Sequence, residues 1–388
     1  MLNTGFSPWP SYSEEEVKII SDILRSNRVN YWTGEHGKSF EKEFAAWCGT
    51  KYAVALSNGT VALEVALRAM GIGPGDEVIT TPRTFLATAS AIVAVGARPV
   101  FADVELVNQN ISARTITDVI SPVTKAIIVV HLAGLPAEMD EIMSLADEHD
   151  LYVIEDCAQA HGAKYKGKSV GSIGHVGCWS FCQDKIMTTA GEGGMITTDH
   201  QAFYEFIWSY KDHGKNLEKV LDDKIPRGKF RWVHDSFGSN FRMTEIQAAI
   251  GRYQLNKVNE WCNTRRKYMG LYDAVVDKFS FIRKIDIPDH VQHAGYKYYM
   301  FVNDKNNVNI RDRILQKLIQ NGIPAYEGSC SEIYLENAFH ENIKPSYRLK
   351  NAEILGRTSI MLLVHPSLTD AELYRMCDIL NSVLLEYK

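Results

Sequence analysis

From residue 52 to residue 155 the chain alternates short apolar runs with helix-like stretches, and that rhythm leaves few folds open to it. Runs such as Ala126-Ile127-Ile128-Val129-Val130 are continuous rather than alternating, which is how a strand reads when both of its faces are buried. The pattern predicts strands at 52–56, 77–80, 99–102, 125–130 and 152–155, with helices over 61–70, 85–95 and 138–148 between them. Strands that alternate with helices form a mostly parallel sheet covered on both sides, so an α/β sandwich is expected. Further strands are predicted at 179–181 and 195–198.

The flanks read differently. Ser13 and Glu16 form a capping-box pattern ahead of Val17, Ile19, Ile20 and Leu24 at helical spacing. Phe40, Phe44 and Trp47 recur on one helical face, and Gly49 stands where such a helix would end. After Thr244, Ile246, Ala249, Ile250, Tyr253, Leu255, Val258 and Trp261 predict one long helix without a breaker. A division into units 1–255 and 256–388 is placed within it, and 388 residues are ample for two cores. The second unit mixes a strand at 298–302 with helices at 310–320 and 370–385, which suits a smaller α+β domain. The polar stretch 222–230, with Pro226 and Gly228, is the loop expected to be most mobile.

A net charge of −5 provides no basic field to recruit nucleic acid. Seven scattered cysteines, never in a Cys-x-x-Cys pair, suit reduced thiols and a cytoplasmic location, and metal ligation is not expected. The segment 1–6 lacks the basic and apolar regions of a secretory leader, and the longest apolar tracts are strand length, so no membrane span is expected.

The chemistry gathers around Lys185, which stands between Ser180-Phe181 and the turn Gly191-Glu192-Gly193-Gly194, with Asp156 and Gln159 about one βα unit earlier. A lysine amine can form a Schiff base with an aldehyde cofactor, and a carboxylate can keep a pyridine nitrogen protonated so that the ring withdraws electrons. Lys185 and Asp156 together read as a pyridoxal phosphate (PLP) site. Taken singly, Lys185 reads as a solvated lysine and Asp156 as a turn closing a strand. Ser57-Asn58-Gly59-Thr60, opening a helix, reads as an anion site or as an ordinary N-cap.

The order of motifs carries a resemblance. Val153-Ile154-Glu155-Asp156-Cys157-Ala158-Gln159-Ala160-His161-Gly162, then Trp179 to Lys185, then Thr188-Thr189-Ala190-Gly191-Glu192-Gly193-Gly194, with Asn240-Phe241-Arg242-Met243-Thr244-Glu245, resembles the DegT/StrS-type nucleotide-sugar aminotransferases. The likeness implies a fold-type-I PLP enzyme: a large domain with a seven-stranded, mostly parallel sheet containing one antiparallel strand, plus the small C-terminal domain. It implies phosphate binding by Gly59, Thr60 and Ser180, ring stacking by Phe85, a hydrogen bond from Gln159 to the ring oxygen, and a homodimer in which Asn240 reaches the neighbouring cofactor. It further implies a pyridoxamine phosphate form between two half-reactions, glutamate as donor, and a keto group on a nucleotide-linked deoxy sugar as acceptor, in surface polysaccharide or glycosylated metabolite synthesis.

Tyr31, Trp32, Arg83, Lys215, Tyr326 and His365 are the candidate substrate-facing residues, and Arg83 reads equally as a structural ion pair. Arg242 and Glu245 read as an i, i+3 pair or as ligand contacts. Cys182-Gln183-Asp184 departs from what relatives carry before the lysine. Lys185 itself argues against the dehydratase branch, which has histidine there. Transamination of a free amino or keto acid, and a non-enzymatic regulatory role, are the competing readings.

Overall fold

The computed structural model describes residues 5–222, 230–303, 309–340 and 343–388, so residues 223–229 of the expected mobile loop lie outside the described residues. The large sheet has seven strands in the spatial order Tyr52–Leu56, Gly194–Thr198, Val176–Ser180, Tyr152–Asp156, Thr124–Val130, Glu77–Thr80 and Arg98–Phe101. Gly194–Thr198 runs antiparallel to both of its neighbours, and the other pairings are parallel. The α/β expectation, including one antiparallel strand, is met.

The register explains why the apolar runs are continuous. Ile127 pairs with Val153 and Ile128 with Ile154. Because side chains alternate along a strand, Ala126, Ile128 and Ile154 pack on one face with Val54, Ala62 and Ile92, whereas Ile127, Val129 and Val153 pack on the other with Ile142 and Ala146. Burying each such side chain contributes about 1.5–3 kcal/mol, so a one-residue slip would exchange two complete cores.

Element ends differ in instructive ways. The strand expected at 179–181 is Val176–Ser180, and the helix expected from residue 85 is Ala87–Ala94, which leaves Phe85 outside it. The long helix after Thr244 is two helices, Glu245–Leu255 and Val258–Val276, interrupted at Asn256-Lys257. A ribbon of two-residue strands, Lys164–Tyr165, Lys168–Ser169 and Val291–Gln292, was too short to show periodicity.

A second, antiparallel sheet is ordered Ile282–Lys284, Tyr298–Val302, Ser359–Leu362 and Ala325–Tyr326. Helices Val258–Val276, Ile310–Gln320 and Asp370–Leu385 close over a separate core containing Tyr272, Met300, Ile314, Ile360 and Met376. The two units are bonded to each other. Asp103 accepts the amides of Asn351 and Ala352, Ile333 N–H donates to the Pro82 carbonyl, and Ala294 N–H donates to that of Gly134.

Candidate active site

In a parallel sheet the carboxyl ends of the strands converge, and the segments leaving them form the natural ligand crevice. Ser57 to Thr60 follow Tyr52–Leu56, Phe85 follows Glu77–Thr80, Asp156 ends its strand, and Ser180 ends the next. These residues are spread over more than a hundred positions in sequence and meet at one edge because the strands carrying them are parallel.

The turn at Gly59 opens a helix, a geometry that suits an anion. Asn58 caps helix Gly59–Ala69 with its side chain on Val61 N–H at 2.9 Å, and its carbonyl accepts from Ala62. The amides of Gly59 and Thr60 lie in the first turn, at the positive end of the helix dipole, where an N–H has no intrahelical partner. A Cβ on Gly59 would lie 2.6 Å from Ser180 Cβ, and one on Gly194 would lie 2.3 Å from the Asn58 carbonyl oxygen. Glycine at both positions lets three backbone segments approach one another closely. Ser180 Oγ accepts from Cys182 N–H at 3.3 Å, which leaves its own proton to donate.

Asp156 is 6 % exposed. Its two oxygens accept from Ala158 N–H and from Thr88 Oγ, each at 3.1 Å. Burial pushes this carboxyl above its ordinary range, opposed by those hydrogen bonds and by Lys185. A cation close by favours the charged form of a carboxyl buried in this way. Gln159 is oriented by its surroundings: Oε1 accepts Ala133 N–H at 2.7 Å, so its amide hydrogens are the groups presented to a ligand. Ala133 takes φ +57° to deliver that N–H, an uncommon backbone state for a residue with a side chain. Phe85 is 73 % exposed, an aromatic face at the mouth of the crevice rather than a core residue. Lys185 is half-buried, its amine 5.3 Å from the centre of the Tyr296 ring, and its carbonyl accepts the Trp9 indole N–H at 2.8 Å.

Behind the lysine lies a set that the motif reading missed. Tyr296 donates its hydroxyl to Asp184 at 2.6 Å, Lys297 stands 3.8 Å from the same carboxylate, and Arg265 is buried against Trp9. His161, fully buried, packs on Trp179 and Phe181; burial, with Lys185 and Arg265 nearby, lowers it to about 3, so it is neutral. The sequence signal available for the set was Tyr296-Lys297 just ahead of a strand, beside Gly295.

The substrate-facing expectations are corrected in part. Tyr31 is 3 % exposed, hydrogen-bonded to Glu41 at 2.9 Å with the Lys211 amine over its ring, and it faces no crevice. Arg83 is fully buried and donates to Gln109 and Ser359, so it ties the large domain to the small sheet and is neither a surface ion pair nor a substrate clamp. His365 is buried with Nδ1 on the Ser367 hydroxyl. Trp32 and Lys215 stack on each other at 4.3 Å, Lys215 also pairing with Asp212, and Tyr326 is half-buried at the edge of the small sheet. Arg242 pairs with Asp212, and Glu245 accepts the amides of His36 and Gly37, so these two residues do not pair with each other. Asn240 is exposed; the next residue, Phe241, accepts Ser57 N–H.

His131, Glu155 and Cys157 come together, yet their lone pairs are spent on the protein. His131 Nδ1 accepts Ala137 N–H, its Nε2 meets Glu155 at 2.9 Å, and Glu155 also accepts the amides of Gly171, Ile173 and Gly174. They brace the sheet rather than offer a metal seat. No helix among the described residues is long and apolar enough to cross a membrane.

A lysine and a buried carboxylate across an anion cradle, at the carboxyl edge of a seven-stranded sheet, define a fold-type-I PLP-dependent enzyme. Residues 10–381 match the DegT/DnrJ/EryC1/StrS aminotransferase family, and the chain belongs to it. It is 36 % identical to a GDP-perosamine synthase of Caulobacter vibrioides, over 95 % of this chain and 98 % of that protein. An aminotransferase from Psychrobacter cryohalolentis superposes with TM-score 0.96 at 48 % identity, covering 98 % of this chain and 99 % of that one. A putative sugar aminotransferase of Streptococcus pneumoniae, solved in its PLP form, superposes with TM-score 0.87 at 26 % identity over the whole of both chains. The chain is therefore a PLP-dependent aminotransferase.

Proposed function

We propose that this aminotransferase moves an amino group from an amino acid, glutamate by family habit, to a keto group on a nucleotide-linked deoxy sugar. The single observation that carries the site assignment is the placement of Lys185 and Asp156 around the cradle of Gly59, Thr60 and Ser180. The cofactor supplies an aldehyde for the amino group and a ring that accepts electrons when the substrate Cα–H bond breaks. The chain does the rest. The amides of Gly59 and Thr60 and the Ser180 hydroxyl bind phosphate, and Phe85 fixes the ring plane. Gln159 donates to the ring oxygen, and Asp156 holds the proton on the ring nitrogen. Lys185, once its amine is free, would take the proton from the substrate Cα and deliver it to the cofactor carbon on the far side of the nitrogen that joins them. Trp9 bonds the Lys185 carbonyl and so fixes its backbone, and the Tyr296 ring borders the amine.

Sugar substrates are supported by the named relatives. A dimer with shared sites is supported by the exposed Asn240 and by Phe230, Trp232 and Phe237 nearby, which are 74 %, 81 % and 101 % exposed and suit a covered face. The same proposal includes a cytoplasmic location, supported by seven free cysteines. It also includes the division at 255/256, supported by the helix interruption there. The test is to reduce the purified holoenzyme with borohydride and map the cofactor-bearing peptide, then to assay keto sugar nucleotides against a panel of keto acids. Cofactor attached anywhere but Lys185, or turnover confined to free keto acids, refutes the reading.

A further inference from the structure

Asp184 stands immediately before Lys185, and the structure gives it specific contacts. It is half-buried and accepts the Tyr296 hydroxyl at 2.6 Å. Lys297, the next residue of that segment, reaches the same carboxylate at 3.8 Å with only a tenth of its side chain exposed. Tyr296 is tied in the other direction too, because its N–H donates to the Ala133 carbonyl, and Ala133 N–H holds Gln159. One chain of contacts therefore joins the group expected at the ring oxygen to the residue beside the lysine. It runs through the segment that leads into the small-domain strand Tyr298–Val302.

The charges are unbalanced without Asp184. The Lys185 and Lys297 amines both lie against the Tyr296 ring, 5.3 and 4.6 Å from its centre, so they are less than 10 Å apart. Lys297 is pushed down to about 8, first by burial and then by Arg265 and Lys185, with Asp184 pulling it back up. At neutral pH it is mostly a cation. Among the described residues, ionisable groups bear on Lys185 from several elements, and Glu192 stands beyond Cys182 on its own loop. Its own loop contributes Asp184 and Cys182, whose thiol burial pushes up; the strand end contributes Asp156, and behind it lies neutral His161. The small-domain side contributes Tyr296 and Lys297, with Arg265 beyond them.

We propose that Asp184 is a positioning residue for Lys185: it fastens the lysine loop to Tyr296 and Lys297 of the small-domain segment, and its negative charge offsets the buried cations there and so favours a positive charge where Lys185 would join the cofactor. The proposal rests on Lys185 as the cofactor-bearing lysine. Asp184→Asn removes the charge but keeps an oxygen to accept the Tyr296 hydroxyl, which separates electrostatics from geometry. Lys297→Met removes the opposing charge at similar length.

The measurement is the pH titration of the visible absorbance of the purified holoenzyme, which reports the proton on the nitrogen joining Lys185 to the cofactor. A lost negative charge disfavours that proton and a lost positive charge favours it. Asp184→Asn should therefore lower the midpoint by about one unit, tenfold in proton affinity, and Lys297→Met should raise it by a similar amount. The double variant should return near the parent. Midpoints that coincide with the parent in both single variants overturn the proposal and leave Asp184 a fold contact. If Asp184→Asn does not retain cofactor, Lys297→Met decides alone, an unmoved midpoint being the refutation. Borohydride labelling of the parent and of Lys185→Ala is run alongside. Label retained by Lys185→Ala would sink the lysine assignment itself, a different failure from an unmoved midpoint.

Discussion

Replacing Gly59 with alanine tests the cradle most directly, because the geometry sets the size of the effect. The new Cβ would lie 2.6 Å from Ser180 Cβ and 3.2 Å from Ser180 Cα, against an ordinary contact that begins at 3.4 Å. Backbone and Cβ cannot rotate away, so the helix start must retreat from Ser180 by up to 0.8 Å, the difference between 3.4 and 2.6 Å. Overpacking of this kind costs about 1–3 kcal/mol. The retreat also separates the Gly59 and Thr60 amides from the Ser180 hydroxyl, so one charge-assisted hydrogen bond to phosphate is lost, about 1.5–3 kcal/mol or roughly 10- to 100-fold in cofactor Kd. The control is Gly270→Ala in helix Val258–Val276, where an added Cβ meets nothing within 4 Å. Helix propensity should make that change stabilising by about 0.5–1 kcal/mol with no effect on cofactor. Titration of apo-protein with PLP, together with thermal melts of both variants, reads the two effects separately. Unchanged cofactor affinity in Gly59→Ala would refute the cradle, whatever happened to stability.

Mixing inactive Lys185→Ala with inactive Asn240→Ala under subunit exchange should regain about a quarter of parent activity, since half the dimers then carry one intact shared site; no recovery means that Asn240 serves its own chain. Arg83→Met should lower the melting temperature while both substrates keep their KM within about threefold, because the residue bonds Gln109 and Ser359 rather than ligand; a selective KM rise would restore the substrate-clamp reading. For Glu155 burial opposes the charge, but His131 and the Gly171 and Gly174 amides prevail and hold the carboxyl below its ordinary range. A depressed folded value stabilises above the unfolded pKa of about 4.3 and is lost as pH falls through the folded one. Glu155→Leu should cost about 3–5 kcal/mol near neutral pH, seen in denaturant melts, and flatten the acid limb of stability against pH; an unchanged acid limb counts against the pair.

The continuous apolar runs by themselves determined the buried parallel strands, since only a strand covered on both faces needs Ala126 through Val130 all apolar. The motif order was enough to reach the family that residues 10–381 match, and it is the source of the proposed roles of Lys185 and Asp156. Boundaries were less legible. The break at Asn256-Lys257 carries no proline or glycine, and the ribbon strands are too short for any period to appear.

What only the tertiary structure decided is where long polar side chains end. Tyr31 and Arg83 look like ligand contacts in a linear reading, yet Glu41 in one case and Gln109 and Ser359 in the other bond them within the protein interior. Asp184 is the converse case, an unexplained departure until the small-domain segment brings Tyr296 and Lys297 against it. Strand burial is a local requirement written into consecutive residues. The fate of a polar side chain depends on which partners, many of them far away in sequence, the fold brings within hydrogen-bonding distance.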